Sequence, residues 1–340
     1  MPVETSYKGN RLMQQRTFGT EDFTIGEMGL GCWQLGGSDW GEVSEEKAFA
    51  ILQASLDAGV DFLDTADVYG GGRSEELIGK FIKGLAEPPF VATKLGRGAK
   101  AGFHTGFTYE SLRECTEDSL RRLGVEALDL TQLHCIPTEA LRQGDVFDWL
   151  RRLQTEGKIL RFGASVESME EAEICLAHND LCSLQIIFNL FRQKPIATLF
   201  PKVAETKTVI IVRLPLASGL LGGKYTKETS FGAHDHRTYN RDGQAFNVGE
   251  TFAGLPFEMG VELADALKPH VPEGMTLPQM AIRWILDYPE VTVVIPGARD
   301  TTQAKANAAL SDLPALPASL HEQLRAFYSA QVTGHIRGPY

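Results

Sequence analysis

Eight short runs of β-branched and apolar residues recur along this chain, with stretches of helical spacing between most of them, and that alternation restricts the fold more than any other feature. The runs fall at 27–33, 61–66, 90–95, 128–134, 159–165, 183–189, 208–213 and 291–297. Helical patterns fit the gaps at 45–58, 74–84, 109–123, 145–156, 168–178 and 196–205, and again at 257–268 and 277–288. Ser74 and Ser168, each followed by two glutamates, read as N-caps, while Gly59, Gly84, Gly124 and Gly157 sit where helices should stop. Eight strands separated by helices with short turns favour one closed (β/α)8 TIM barrel over an open doubly wound sheet.

The rhythm breaks once, after the seventh run. A polar, glycine-containing segment at 219–255 precedes the next helix, and a loop of that length in a compact fold is more often a functional lid than a linker between domains. The expected organisation is therefore one barrel over 1–340. An N-terminal β-hairpin lies in 1–26, where TFGTEDFTI supplies alternation and a turn. A cofactor-covering loop spans 214–256, and a C-terminal helix and tail occupy 312–340. At 340 residues the chain has room for roughly two average domains or one large barrel, and 43% hydrophobic with 23% charged residues supports a sizeable core.

A net charge of −11 argues against a general nucleic-acid or membrane-surface binder. No apolar run approaches the roughly 20 residues that span a bilayer, and the first 25 residues hold no apolar stretch of a secretory signal. The five cysteines, at 32, 115, 135, 175 and 182, form no CxxC pair, so reduced thiols in a cytoplasmic protein are expected, without disulfide or zinc. His234 and His236, in the long loop, read as exposed residues rather than metal ligands.

In such a barrel the chemistry sits at the C-terminal ends of the strands. Consecutive strand ends there present Asp64 with Tyr69 just beyond it, then Lys94, then His134. A lone Asp or Lys at a strand end is usually a structural ion pair, and a lone Tyr is usually core. Four such groups on one rim call for a chemical explanation. Trp33, Trp40 and Phe103 could form an apolar wall beside them, although core packing explains those rings nearly as well.

The stretches FLDTADVYGGGRSEELIGK, VATKLG, LDLTQLHCIP, GKILRFGAS, PLASGLLGGKY and IPGARDTTQAKAN, in that order and over nearly the whole chain, resemble the aldo-keto reductase superfamily, in particular bacterial members of the general-stress and inositol-cluster type. The resemblance implies a barrel that reduces aldehydes or ketones with NADPH, Asp64, Tyr69, Lys94 and His134 being the catalytic tetrad. The chemistry fits independently. A carbonyl that accepts hydride needs an acid, and free tyrosine titrates at about 10. An ammonium about 4 Å away favours the phenolate by about 4 kcal/mol at an effective dielectric of about 20, enough for Lys94 to make Tyr69 unusually acidic. Asp64 would hold Lys94 charged, and His134 would orient the substrate oxygen.

No GxGxxG follows a strand and no GxxxxGK[ST] occurs, so neither a Rossmann nor a P-loop site is expected. The resemblance instead implies a dinucleotide extended across the rim. Ser165 and Gln185 would meet the nicotinamide carboxamide, with Gly31, Cys32 and Trp33 beside the first strand. Arg213, Pro215, Leu216, Ser218, Gly219, Leu220, Gly222 and Lys224 would cover the pyrophosphate, and Ile295, Gly297, Ala298, Arg299, Gln303 and Asn307 would hold the far phosphate. Arg299, at a helix N-terminus, favours NADPH over NADH.

Two positions depart from the commoner pattern: Val166 follows Ser165 where many members have Asn, and Arg213 stands where an aromatic ring often stacks on the nicotinamide. Alternative readings are a cofactor-sensing subunit resembling channel-associated β subunits, a Schiff-base enzyme using Lys94, and a barrel with a purely structural or binding role. Partners are expected to be small carbonyl compounds only. The identity of the substrate and the oligomeric state stay open at this level.

Overall fold

A computed structural model describes residues 13–19, 23–37 and 43–340. Trp40, most of the expected hairpin's first half and the tip of its turn lie outside the described residues. The hairpin itself is present as β1 (Gln15–Thr17) paired antiparallel with β2 (Thr24–Gly26). Eight parallel strands follow: β3 (Leu30–Gly31), β4 (Phe62–Asp64), β5 (Phe90–Leu95), β6 (Leu130–His134), β7 (Phe162–Ser165), β8 (Ser183–Ile187), β9 (Val209–Arg213) and β10 (Val291–Val294). Each pairs with its neighbour in sequence, and parallel bridges Met28–Val294 and Gly31–Gly297 join the last strand to the first, which closes the (β/α)8 barrel.

The continuous hydrophobic runs follow from burial on both faces. Along β9, Val209 and Ile211 point into the barrel with Ala92, Leu130 and Val293, whereas Ile210 and Val212 join the larger core beneath the helices. The hairpin plugs the N-terminal end of the barrel with Phe18, whose ring lies 5.0 Å from Phe90, 5.3 Å from Phe23 and 6.0 Å from Phe62.

The helices largely follow their sequence signals. They are α1 (Glu45–Asp57), α2 (Arg73–Ile82), α3 (Tyr109–Leu123), α4 (Thr138–Gln143), α5 (Asp145–Thr155), α6 (Met169–Leu176), α7 (Pro195–Thr198), α8 (Phe200–Val203), α9 (His236–Tyr239), α10 (Phe257–Leu267), α11 (Leu277–Leu286), α12 (Thr301–Ala308) and α13 (Ala318–Phe327). Ser168 caps α6 in a capping box with Glu171, and Gly124 ends α3 with φ of 69°. Two expectations need correction. Ser74 is not a cap: α2 begins at Arg73, and the Ser74 hydroxyl turns inward, donating to Cys32 O at 2.9 Å and accepting from Thr65 at 2.9 Å. The helix expected at 196–205 is two single turns, α7 and α8, because Pro201 cannot donate to the carbonyl four residues back.

Candidate active site

The strand ends converge as the barrel requires. Asp64 closes β4, Lys94 lies near the end of β5 and His134 ends β6, while Tyr69 comes from the turn after β4. That turn is set by backbone contact. Gly70 has φ of 61°, and a Cβ there would stand 2.3 Å from the carbonyl oxygen of Gly36. Beneath it, Thr93 donates to Glu75, and the Arg122 guanidinium donates to the same carboxylate at 2.6 Å.

Lys94 is wholly buried, and its ammonium has three partners: Asp64 Oδ1 at 2.5 Å, the carbonyl of Thr65 at 2.8 Å and the Tyr69 hydroxyl at 3.3 Å. Burial opposes its charge, but Asp64 and Tyr69 outweigh burial and hold it above the ordinary lysine value. A permanently charged amine is a poor Schiff-base nucleophile, which counts against that reading. The expectation of an unusually acidic Tyr69 is overturned. Burial raises the phenol above its ordinary value, and the lowering by Lys94, partly offset by Asp64, does not overcome it. His134 lies edge-on to Tyr69, ring centroids 5.8 Å apart, and burial together with Arg97 and Lys94 holds it well below the ordinary histidine range, so it is neutral.

Tyr69 and His134 open onto a cleft of about 630 Å³. Of the residues expected around a dinucleotide, Gly31, Trp33, Gln185, Arg213, Pro215, Leu216, Ser218, Gly219, Ile295, Gly297, Ala298, Arg299 and Gln303 line it. Cys32, Ser165, Leu220, Gly222, Lys224 and Asn307 are not part of its lining, and Lys224 is exposed. Asn307 braces Gly297 O at 3.1 Å, and Ser165 lies against Cys135 Sγ at 3.6 Å. Gln185 faces the cleft but donates to Asp64 Oδ2 at 2.7 Å, so it also orders the tetrad. Arg299 is 79% exposed, and Asp300 beside it accepts from Gln303 N at the start of α12, so an acid already occupies that N-terminus. Burial keeps the Cys32 and Cys135 thiols protonated, Cys135 being pushed up to about 12.

The long segment 214–256, the strap, contributes Leu214, Ser218, Tyr225, Tyr239, Phe246 and Glu250 to the lining of the cleft. It carries five of the six non-glycine residues with left-handed backbone among the described residues, Leu214, Ala217, Ser218, Phe252 and Ala253; the sixth is Cys135, also on the rim. His234 is exposed, as expected, but His236 is buried, its ring 4.7 Å from Trp33. Trp33 stacks near Tyr69 at 5.9 Å, and Tyr239 and Phe246 complete an aromatic wall, while Phe103 does not reach the cleft.

Arg97, Glu167 and Glu250 at the site carry no sequence signal that singled them out. Arg97, three residues past Lys94, pairs with Glu250 through Nη1 at 3.0 and 3.3 Å, and its guanidinium lies 5.0 Å from the Phe246 ring. Arg213 donates to Val166 O at 3.2 Å and lies 3.7 Å from Glu250. Cys135, Glu167 and Glu250 bring possible ligand atoms within 4.8 Å of one another, but the guanidinium groups beside Glu250 oppose a cation there.

A family model described as the aldo/keto reductase family matches residues 27–329. The aldo-keto reductase YhdN of Bacillus subtilis is 30% identical over 282 residues, 82% of this chain and 83% of that protein. The holo form of aldo-keto reductase AKR11C1 from Bacillus halodurans superposes with a TM-score of 0.74 at 26% identity, covering 93% of this chain and 96% of that one. An aldo-keto reductase from Klebsiella pneumoniae in complex with NADPH shares the fold, with a TM-score of 0.69 at 22% identity over 96% of this chain and 99% of that one.

Proposed function

The chain belongs to the aldo/keto reductase family, and from that premise we propose that it reduces a small aldehyde or ketone to an alcohol with NADPH, Tyr69 acting as general acid. The observation that carries the reading is the Tyr69 hydroxyl, held 3.3 Å from a buried ammonium at the floor of the cleft. The cleft suits the dinucleotide. Arg213 Nε and Gln34 Oε1 are buried there without protein hydrogen-bond partners, and backbone at Gly31, Gly219 and Gly297 lines its walls. NADPH, when bound, supplies the hydride.

The remaining work falls to side chains. Neutral His134 offers a hydrogen bond that orients the substrate oxygen, and Tyr69 gives up its proton to that oxygen as negative charge develops on it. Lys94 stabilises the tyrosinate left behind, an interaction that strengthens only as the phenol ionises and so favours the transition state. Asp64, fixed by Lys94 and Gln185, keeps the ammonium aimed at the phenol. The strap excludes water and supplies Tyr239 and Phe246 to the substrate side. Titration of NADPH by its fluorescence, followed by an aldehyde screen that monitors loss of nicotinamide absorbance, tests the proposal. Turnover is expected. Binding without turnover would favour the cofactor-sensing alternative, and no binding would end both.

A further inference from the structure

The strap meets the rim at a pair of carboxyl groups that the hydride chemistry does not use. Glu250, on the strap, is buried among Arg97 from the loop after β5, Arg213 from the end of β9 and Glu167 from the loop after β7. Glu167 is half-buried, brings a carboxylate oxygen within 4.8 Å of one of Glu250, and accepts from Asn247 Nδ2 of the strap at 2.9 Å. Both strap residues therefore fasten onto loops of the barrel rim. Two carboxylates this close repel, and because two arginines already engage Glu250, the proton that relieves the repulsion belongs on Glu167.

We propose that Glu167 and Glu250 form a proton-shared latch that fastens the strap over the cleft, so that loss of the proton from Glu167 loosens the strap and speeds exchange of the dinucleotide. The dinucleotide part rests on the function proposed above; the latch itself does not. The groups facing Glu167 are Glu250 and Asn247 from the strap, Arg213 from β9, Arg97 from the loop after β5, Cys135 just past β6 and Arg192 from the loop after β8, while His134 faces Glu250. Burial and then Glu250 push the Glu167 carboxyl up to about 8, against the pull of Arg213. The fastened state thus holds a proton that the open state, with Glu167 in water, releases near its ordinary value. Fastening is complete below that ordinary value, weakens as pH rises through the interval up to about 8, and changes no further above it, with a slope of at most about tenfold per pH unit.

The test is hydrogen exchange of 245–254 in the nucleotide-free protein, corrected for intrinsic rates, at pH 5.5 to 9.5, beside NADPH dissociation rates over the same range. Opening is expected to rise several-fold per unit up to about pH 8 and then level. In Glu167→Gln, which keeps a donor toward Glu250 but cannot ionise, it should be flat. An equal slope in Glu167→Gln, or a flat wild-type profile, overturns the latch. Should that variant not fold, Glu250→Gln must move the sloping region to lower pH, because the charge that keeps Glu167 protonated is gone; an unmoved slope overturns the latch equally. A sloping exchange profile in a protein that binds no NADPH would sink the proposed function and leave the latch standing.

Discussion

Lys94 is the residue whose loss the structure answers in two separate measurements. Its ammonium and Asp64 are both buried, so Lys94→Met leaves a carboxylate without its cation in the interior of the barrel, and such an orphan costs about 3–5 kcal/mol. Denaturant unfolding should show that loss, together with abolished turnover. Tyr69→Phe, by contrast, removes only a hydroxyl at the cleft wall. It should fold with nearly native stability yet reduce carbonyls at least about a hundredfold more slowly, the ordinary worth of a placed acid. The pH profile follows from the same residues. Tyr69 is held above its ordinary value, so it keeps its proton through neutrality, and His134 is held below its own, so it stays neutral. The single-turnover rate of carbonyl reduction by the preformed NADPH complex should be flat from about pH 6.5 to 9.5 and fall only where the phenol ionises. A descending limb centred near neutrality would show that Lys94 overcomes burial after all.

At the scale of elements, the tetrad was legible because parallel strands of a barrel must end on one rim. Asp64, Lys94 and His134 occupy strand ends that periodicity alone locates, and register pairs Asp64 with Ala92 and Lys94 with Gln132. The capping box at Ser168 was legible for a similar reason, since its hydrogen bonds span three residues. Ser74 shows the limit of that local signal: its neighbours look like a cap, but a long-range bond to Cys32 decides its orientation. Glu250 was invisible. It lies in a strap with neither period, and its partner Arg97 is 153 positions away in sequence. The turn that carries Tyr69 offers a test at this scale. Gly70→Ala places a Cβ against the Gly36 carbonyl in a left-handed backbone, a strain of about 1–3 kcal/mol. The turn must shift and carry Tyr69 away from Lys94. We expect kcat to fall at least tenfold while the NADPH dissociation constant changes less than twofold, since Arg213, Ser218 and Gly297 are untouched; equal losses in both would mean the turn also shapes the dinucleotide site.

Across the whole molecule, the strap is held from two sides, by the rim through Glu250 and by the chain's last residues from outside. Arg337 donates to the carbonyls of Gly254, at 3.0 Å, and Leu255, at 3.1 Å, and Nη1 reaches Asp242 at 2.7 Å. Tyr340 covers Arg192, whose guanidinium lies 4.5 Å from the ring centroid, and Arg192 in turn donates to Ala253 O at 3.1 Å. Arg192 is buried and its Nη2 has no hydrogen-bond partner among the described residues; burial lowers its value to about 10, and Tyr340 is the first of the groups that oppose this. Cation–π contact of a desolvated guanidinium is worth about 2 kcal/mol. Tyr340→Ala should therefore release the outer hold: the strap at 248–255 should become sensitive to limited proteolysis, and NADPH should dissociate several-fold faster, while the barrel helices keep their exchange protection. Tyr340→Phe should restore slow dissociation, because the ring rather than the hydroxyl meets Arg192. If alanine and phenylalanine loosened the strap equally, the hydroxyl contacts to Tyr328 and to the Lys194 amide would be the hold instead, and the guanidinium would be a bystander.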